Sequence, residues 1–282
     1  MFNSYENSRI FIIIFYTSLL FANIVSASEI TQLDDIQYGS DPLQALDVYT
    51  DRNFNNKPVI FMVHGGAWRI GDKKSRVLVK NKVSRWVPKG FVIISSNYRM
   101  LPDADPIEQS RDVARALAFA QSNAKTWGGD PSQFILMGHS AGAHLIALLA
   151  AAPSSYFKEF GVKPFLGAVT LDSAAFDVVK IMESKHARFY DKAFGSSHDD
   201  WKKASPGHHL SSRSVAMFVV CSTRRRNSCQ QANAFVEKIA SFGVRAVMLE
   251  KNLSHRELNK YLGLENDYTN KIESFMLSLI NF

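Results

Sequence analysis

The sequence FILMGHSAGAHLIALL, at Phe134–Leu149, is the most informative segment of this chain about its fold. An apolar run meets the motif GHSAG at 138–142 and continues as an alanine- and leucine-rich segment. This order predicts a strand, a sharp turn and a helix, with Ser140 in a strained conformation at the turn. Side chains at Gly138 and Gly142 would collide with the neighbouring strand and helix, so glycine is needed there. The G-x-S-x-G spacing in this context predicts a nucleophile elbow.

Strand-like and helical patterns alternate along the rest of the chain. Continuous apolar runs, typical of strands buried on both faces of a parallel sheet, lie at 59–63, 91–95, 167–171 and 217–221. Further strand-like segments lie at 41–49 and 245–250, and helical spacing is found at 77–87, 111–125, 235–242 and 268–279. The alternation predicts an α/β fold with a mostly parallel, doubly wound sheet. We expect the irregular segment from Asp177 to Leu210 to form a short lid insertion.

The overall composition favours one globular domain and argues against nucleic-acid binding. The chain has 282 residues, of which 46% are apolar, so a single domain over residues 28–282 is the simplest division. Its formal net charge is +7, yet the longest basic run is the three arginines at 224–226, with no nucleic-acid motif around them. We therefore expect no nucleic-acid partner. The composition gives no indication of the oligomeric state.

Residues 1–27 have the pattern of a signal peptide. Arg9 supplies a positive charge, an apolar core follows, and VSA at 25–27 suits cleavage before Ser28. The alternative is an uncleaved anchor, but the apolar run is shorter than the roughly 20 residues that a spanning helix needs. We expect export, either periplasmic or secreted, and no stable membrane span after cleavage.

The chain has two cysteines, Cys221 and Cys229, which are close in sequence. In an oxidising compartment they can form a disulfide. The alternative is two buried free thiols.

A serine nucleophile needs backbone N–H groups that hold an oxyanion, and two segments can supply them. The apolar run at 59–63 ends in HGGAW at 64–68, where Gly65 and Gly66 allow the backbone to approach a reacting group closely. The other donor is the N–H group of Ala141, at the start of the elbow helix. We predict these three residues as the oxyanion hole.

Three side chains near these segments are expected to contact the substrate. Trp68 follows the oxyanion loop, Tyr98 ends a predicted strand at the same edge, and His139 precedes the nucleophile. Trp68 and Tyr98 can alternatively be ordinary core aromatics. The aromatic lid residues are candidates for the remaining wall: Phe189, Tyr190, Phe194 and Trp201.

The general base is expected late in the chain, after the last predicted strand. His255, in LSHRE at 253–257, lies there, whereas the other histidines fall on the oxyanion loop, the elbow or the lid. We therefore predict His255 as the base.

The orienting acid is less obvious, because the loop at 222–228 contains no Asp or Glu. Asp172 directly follows the strand at 167–171 and keeps the order Ser…Asp…His, so we predict this residue as the acid. Asn227, as a weaker orienting group, and Asp177 remain alternatives. Asp172 can instead serve only to cap the segment that follows it.

Five motifs of the chain form a recognisable set: HGGAW at 64–68, SNYR at 96–99, GGDP at 128–131, GHSAGAHL at 138–145 and SHRELN at 254–259. Together they resemble the α/β-hydrolase carboxylesterases and lipases related to hormone-sensitive lipase. They are most similar to the branch with kynurenine formamidase-like enzymes and small exported esterases, and the resemblance covers about Asp41 to Phe282.

The resemblance implies an α/β-hydrolase fold, Ser140 as nucleophile, His255 as base and the same three oxyanion donors. The chain departs from the family where the acid usually stands, in the loop at 222–228. Its LDSAA at 171–175 is similar instead to the LDPA of pancreatic-type lipases, in which the acid follows the earlier strand.

These features predict a serine hydrolase that cleaves small or medium carboxylic esters through an acyl-enzyme. The expected partner is a small-molecule ester, and no metal or organic cofactor is implied. An arylformamidase-type amidase is one alternative. A catalytically inactive hydrolase-fold binding module is another, favoured only by the missing acid at 222–228.

Overall fold

The computed structural model describes Met1, residues 29–53 and residues 55–280. Apart from Met1, the predicted signal peptide over residues 1–27 lies outside the described residues. The described strands are β1 (Ile30–Gln37), β2 (Ala45–Asp51), β3 (Lys57–Val63), β4 (Val92–Ser96), β5 (Gly129–His139), β6 (Gly167–Leu171), β7 (Ala216–Ser222) and β8 (Ala246–Lys251).

The eight strands form one sheet in the order β1-β2-β4-β3-β5-β6-β7-β8. The pairs β1·β2 and β2·β4 are antiparallel, and all other neighbours are parallel. The sheet is therefore mostly parallel, in agreement with the prediction from the alternating pattern.

Helices cover both faces of the sheet. They are α1 (Arg76–Trp86), α2 (Pro106–Asn123), α3 (Ala141–Ala151), α4 (Pro153–Phe160), α5 (Val178–Met182), α6 (Arg188–Phe194), α7 (His198–Lys203), α8 (Ser228–Ser241), α9 (His255–Tyr261) and α10 (Asp267–Leu277). None of these helices is long and apolar enough to cross a membrane.

Alternate residues of each central strand belong to different cores. In β3, Phe61 packs into the core that α2, α3 and α8 cover, whereas Ile60 packs into the core beneath α1, α9 and α10. Since successive strand side chains point to opposite faces, both faces of these strands must be apolar. This requirement explains the continuous apolar runs in the sequence.

The central register brings the strand ends of β3, β5 and β6 together. Val63 of β3 pairs with Gly138 of β5, and His139 pairs with Leu171 of β6. The residues that follow these strands therefore meet at one edge of the sheet. The segment at 177–210, predicted as a lid, lies between β6 and β7 and forms α5, α6, α7 and a short 3₁₀ turn.

One of the described strands, β1, was not predicted. It is a solvent-exposed edge strand, and its pairing with β2 shifts register between Leu33 and Ile36. The irregularity interrupts the alternation that marks a strand in sequence.

Cys221, in β7, and Cys229, in α8, are joined by a disulfide. Of the two alternatives left open by the sequence, the structure therefore contains the disulfide. It closes the loop that connects these two elements.

Candidate active site

Ser140 stands at the turn between β5 and α3, with φ 57° and ψ −118°. A side chain at Gly138 would bring its Cβ to 2.5 Å from the carbonyl oxygen of Gly142, and one at Gly142 would lie 2.3 Å from that of Val63. Only glycine fits these positions, as the sequence predicted. The amide of Ser140 donates to the carbonyl of Leu171 at 2.9 Å, which ties the turn to the neighbouring strand.

Asp172 lies at the end of β6 and contacts the predicted base. Its Oδ2 is 2.6 Å from Nδ1 of His255, and its side chain is fully buried. Its Oδ1 accepts from the amide of Ser222 at 2.9 Å and from the hydroxyl of Ser228 at 2.5 Å. Both carboxylate oxygens are therefore held, and Oδ2 is directed at the imidazole.

The fourth neighbour of Asp172 is a guanidinium group that the sequence analysis did not single out. Nη1 of Arg225 is 3.0 Å from Oδ2 of Asp172, 2.8 Å from its backbone oxygen and 3.1 Å from Nδ1 of His255. Guanidinium groups only donate, so Arg225 donates to the aspartate, while the Nδ1–H of the imidazole donates to the same carboxylate. Arg225 is thus a positioning residue for the pair.

The electrostatics favour the ionised form of Asp172. Burial by itself would raise the pKa of this carboxyl group. The hydrogen bond from His255, the charge of Arg225 and the hydrogen bonds from Ser228 and Ser222 outweigh that effect and hold the pKa well below its usual value. The carboxylate can therefore orient the imidazole and stabilise an imidazolium.

His139 supports His255 from the other side. Its Nε2 is 2.8 Å from the carbonyl oxygen of His255, and the two ring centroids are 4.4 Å apart. Desolvation, with a smaller contribution from the charge of His255, lowers the pKa of His139 to about 3. The neutral ring therefore donates Nε2–H to that carbonyl. His139 also lines the cavity, where a substrate contact was predicted.

The predicted oxyanion loop lies directly against Ser140. A Cβ at Gly65 would be 2.6 Å from the carbonyl oxygen of His139 and 2.8 Å from the Cβ of Ser140. Gly66 has φ 133°, and a Cβ there would meet the carbonyl oxygen of Ile70 at 1.8 Å. Among the described residues, no hydrogen-bond partner takes the N–H groups of Gly65, Gly66 or Ala141. These groups are available to hold an oxyanion.

Trp68 connects the oxyanion loop to the lid. Its indole N–H donates to Nδ1 of His144, on α3, at 3.1 Å. Its ring also packs against the lid residues Phe194, Tyr190 and Phe189, with centroids 4.9, 5.9 and 6.4 Å away.

His144 is a neutral link between the elbow helix, Trp68 and the lid. Since Nδ1 accepts, Nε2 carries the proton and donates to the carbonyl oxygen of Ala204 at 2.7 Å. Burial lowers the pKa of His144 to about 4, which keeps the ring neutral.

The expectation that Tyr98 contacts the substrate is wrong. Its side chain is fully buried, stacks on His64 with centroids 4.5 Å apart and donates to the carbonyl oxygen of His64 at 3.0 Å. Tyr98 lies at the expected edge but underneath the oxyanion loop, which it supports from the core side. The alternative considered for it, a core aromatic, is the correct one.

The other acid candidates lie elsewhere. Asp177 caps α5 by accepting from the amide of Lys180 at 3.1 Å. Asn227 is exposed at the start of α8 with φ 65°. Within the described residues, neither hydrogen-bonds to His255, so Asp172 is the candidate that the geometry favours.

One cavity of about 620 Å³ joins these groups. Ser140, His255, Asp172 and the three oxyanion candidates line it, together with Trp68 and His139. Of the four predicted lid aromatics, Phe189 and Tyr190 line it, Phe194 packs behind Trp68, and Trp201 donates its indole N–H to backbone oxygens of the lid.

One group of potential metal ligands occurs in the described residues: Cys221, Cys229 and Glu250. Both sulfur atoms belong to the disulfide, so they cannot act as thiolate ligands.

The strand order and the serine at the elbow define an α/β-hydrolase fold, and comparison with solved structures agrees. Esterase B from Lactobacillus Rhamnosis (HN001) aligns with a TM-score of 0.70 and 20% identity, over 88% of this chain and 84% of that one. A thermophilic esterase from Thermogutta terrifontis aligns with a TM-score of 0.70 and 17% identity, over 89% and 94%. At these identities the likeness concerns the fold.

The BD-FAE family model matches residues 46–239, well over half of the chain, and the chain belongs to this family. Esterase LipC from Mycobacterium tuberculosis is 30% identical over 223 residues, which cover 72% of this chain and 54% of that protein. A probable isoprenylcysteine alpha-carbonyl methylesterase from Oryza sativa is 29% identical over 193 residues, 65% and 44% of the two chains. The chain spans about half the length of these relatives. The resemblance to α/β-hydrolase carboxylesterases is confirmed.

Proposed function

We propose that this chain is a serine carboxylesterase that cleaves carboxylic esters of small or medium size through an acyl-enzyme on Ser140. The observation that carries the proposal is the 2.6 Å contact between Asp172 and His255, in the cavity that Ser140 and the candidate oxyanion residues also line. The esterase names of the relatives support the same reaction class.

The proposed reaction has two halves. The Oγ of Ser140 attacks the ester carbonyl while Nε2 of His255 takes its proton, and the oxyanion is held by the N–H groups of Gly65, Gly66 and Ala141. When the tetrahedral intermediate collapses, the alcohol leaves with the proton from the imidazolium. A water molecule then attacks the acyl-enzyme, again giving a proton to the imidazole, and the carboxylic acid is released as that proton returns to the serine.

Asp172 and its neighbours keep the imidazole in the required tautomer. With Nδ1–H directed at the carboxylate, Nε2 is left as the acceptor. His139, by donating to the backbone of His255, fixes the start of α9 from which this ring projects.

Hydrolysis of p-nitrophenyl esters with acyl chains from two to sixteen carbons tests the proposal. Ser140→Ala is the variant that should be inactive. Ser212→Ala makes the same substitution at an exposed serine and serves as its matched control. We expect highest kcat/KM for short and medium chains, complete loss in Ser140→Ala and no change in Ser212→Ala. N-formylkynurenine is assayed alongside, because preference for this amide would overturn the ester assignment in favour of the formamidase alternative. Activity that persists in Ser140→Ala would refute the mechanism.

We further propose that the chain is exported with removal of residues 1–27. The signal-like sequence and the Cys221–Cys229 disulfide support export, since disulfides persist in oxidising compartments. N-terminal sequencing of the mature protein should begin at Ser28. Recovery of the unprocessed chain from the cytoplasm would contradict export.

A further inference from the structure

A second cavity, of about 780 Å³, lies beside the one that holds Ser140. Four residues line both: Ala174, Phe189, Tyr190 and Arg225. The two cavities therefore adjoin, and these four residues of the segment after Asp172, the lid helix α6 and the loop after β7 lie along their common boundary.

The floor of the second cavity is apolar. Phe176 and Phe235, both buried, stack with ring centroids 4.4 Å apart and 19° between their planes. Ile181, also buried, adds an aliphatic surface. Such a floor fits a hydrocarbon or aromatic body by burial of apolar surface.

The rim of this cavity is positively charged. Five lysine or arginine side chains line the cavity, namely Lys180, Lys185, Arg225, Arg226 and Lys238, against one carboxylate, that of Asp177. That carboxylate is already engaged, with Nε2 of His208 at 3.4 Å and Nζ of Lys180 at 3.7 Å.

Three of the five cations form no ion pair with any residue that the structure describes. Arg225 is paired with Asp172, and Lys180 is near Asp177, but Lys185, Arg226 and Lys238 take part in none of the ion pairs formed by the described residues. Arg226 lies within the short loop that the Cys221–Cys229 disulfide closes, so its backbone is held in place before any ligand arrives.

We infer that the second cavity binds the remote end of the substrate and selects esters with an apolar body that ends in a carboxylate. Unpaired cations above an apolar floor favour this amphipathic anion over a neutral chain of equal length. The inference rests on the proposed ester hydrolysis at Ser140 and names the substrate class for that reaction.

Pairs of substrates that differ only in charge test this selection. In one pair the charge is on the acyl side, in mono-4-nitrophenyl suberate and its neutral ω-amide. In the other it is on the alcohol side, in 4-acetoxyphenylacetate and its neutral amide. We expect kcat/KM to be about tenfold higher for the anion in at least one pair, as expected from two or three partly exposed ion pairs, and the ratio to fall in 0.5 M NaCl.

The double variant Arg226→Gln/Lys238→Gln should bring the anion-to-neutral ratio close to one. Lys158→Gln/Lys163→Gln removes the same charge from exposed positions before β6, at the opposite edge of the sheet, and should leave the ratio unchanged. Equal kcat/KM values for the anion and the neutral substrate in both pairs, measured with the wild type, would overturn the inference. It would also be overturned if the control variant lowered the anion-to-neutral ratio as much as Arg226→Gln/Lys238→Gln does, because the net charge alone would then explain the preference.

A binding measurement separates this inference from the proposed reaction. Titration calorimetry with Ser140→Ala compares 4-phenylbutyrate with its neutral amide, neither of which is an ester. We expect Ser140→Ala to bind the carboxylate more tightly than the amide, and this preference to disappear when Arg226→Gln and Lys238→Gln are added. That result supports the cavity assignment even if no ester is hydrolysed. Equal binding of the two compounds would overturn it while leaving ester hydrolysis intact.

Discussion

Replacing Asp172 by asparagine should disable His255 without disturbing the fold. The Oδ1 position accepts from the amide of Ser222 and the hydroxyl of Ser228, so the amide oxygen of the new side chain must stand there. Its NH₂ group then occupies the Oδ2 position, 2.6 Å from Nδ1 of His255 and 3.0 Å from Nη1 of Arg225. Because NH₂ can only donate, Nδ1 must accept, and the ring proton moves to Nε2.

Three effects of this substitution lower kcat. The imidazole can no longer take the nucleophile's proton in its favoured tautomer, and the charge-assisted hydrogen bond between Asp172 and His255, of about 1.5–3 kcal/mol, is removed. In the transition state the new imidazolium also lies beside the guanidinium of Arg225 with no carboxylate to balance the two charges, which costs about another 1–3 kcal/mol. A total of about 2.5–6 kcal/mol corresponds to a loss of about 10²–10⁴-fold in kcat.

The assay is steady-state hydrolysis of p-nitrophenyl butyrate, with circular dichroism and thermal unfolding as measures of the fold. Asp177→Asn and Asn227→Ala are the matched controls, since these residues are the other acid candidates, and both should retain kcat within about threefold. A mild loss in Asp172→Asn together with a severe loss in Asn227→Ala would show that Asn227, and not Asp172, orients His255.

Three further changes test other parts of the structure. Gly65→Ala should lower kcat by at least about 10²-fold with KM less affected. The reason is that its Cβ would lie 2.6 Å from the carbonyl oxygen of His139 and would displace an oxyanion donor. An unchanged kcat would show that this loop does not hold the oxyanion. Burial lowers the pKa of Lys82 from 10.5 to about 7. Between pH 7 and pH 10.5 the unfolded chain therefore binds up to one proton more than the folded chain. The free energy of unfolding should rise with pH over this range, by at most about 5 kcal/mol. Urea unfolding at pH 6, 7.5 and 9 should show this rise in the wild type and a smaller one in Lys82→Met; equal slopes would contradict the shift. Replacing Cys221 and Cys229 by serine removes a crosslink between residues 8 apart in sequence. In the same assay this change should lower the free energy of unfolding by about 2–3 kcal/mol, and reduction of the wild-type protein should do the same. An unchanged free energy of unfolding would show that the crosslink does not constrain the unfolded chain.

The sheet centre was predictable because its strands are buried on both faces. Phe61 and Ile60 each meet a separate core, which forces a continuous apolar run that cannot be mistaken for a loop. β1 was missed because an exposed edge with a register shift carries no such constraint. The placement of Ser140 and Asp172 at one edge of the sheet was predictable for a related reason: each follows a buried strand, and parallel neighbours end at one edge.

The remaining site residues depend on three-dimensional packing that the sequence pattern does not encode. Tyr98 follows β4 at the expected edge, but its side chain points beneath the loop, where it stacks on His64. The absence of an acid at 222–228 suggested a defect in the site. In the structure this loop supplies Ser222, Arg225 and, at its end, Ser228, all of which hold Asp172. The three arginines at 224–226 were the feature of the sequence that could have indicated this arrangement. A cation in this loop stabilises an ionised acid that stands after β6 and not in the loop itself.

Labelling of the intact protein with a fluorophosphonate, followed by intact-mass and peptide mass spectrometry, tests directly whether Ser140 is an activated nucleophile. We predict one adduct per chain, on the peptide that contains Ser140, absent in Ser140→Ala and formed much more slowly in His255→Ala. A folded wild-type protein that takes up no label, or takes it up at another residue, would show that Ser140 is not activated and would favour the inactive binding module.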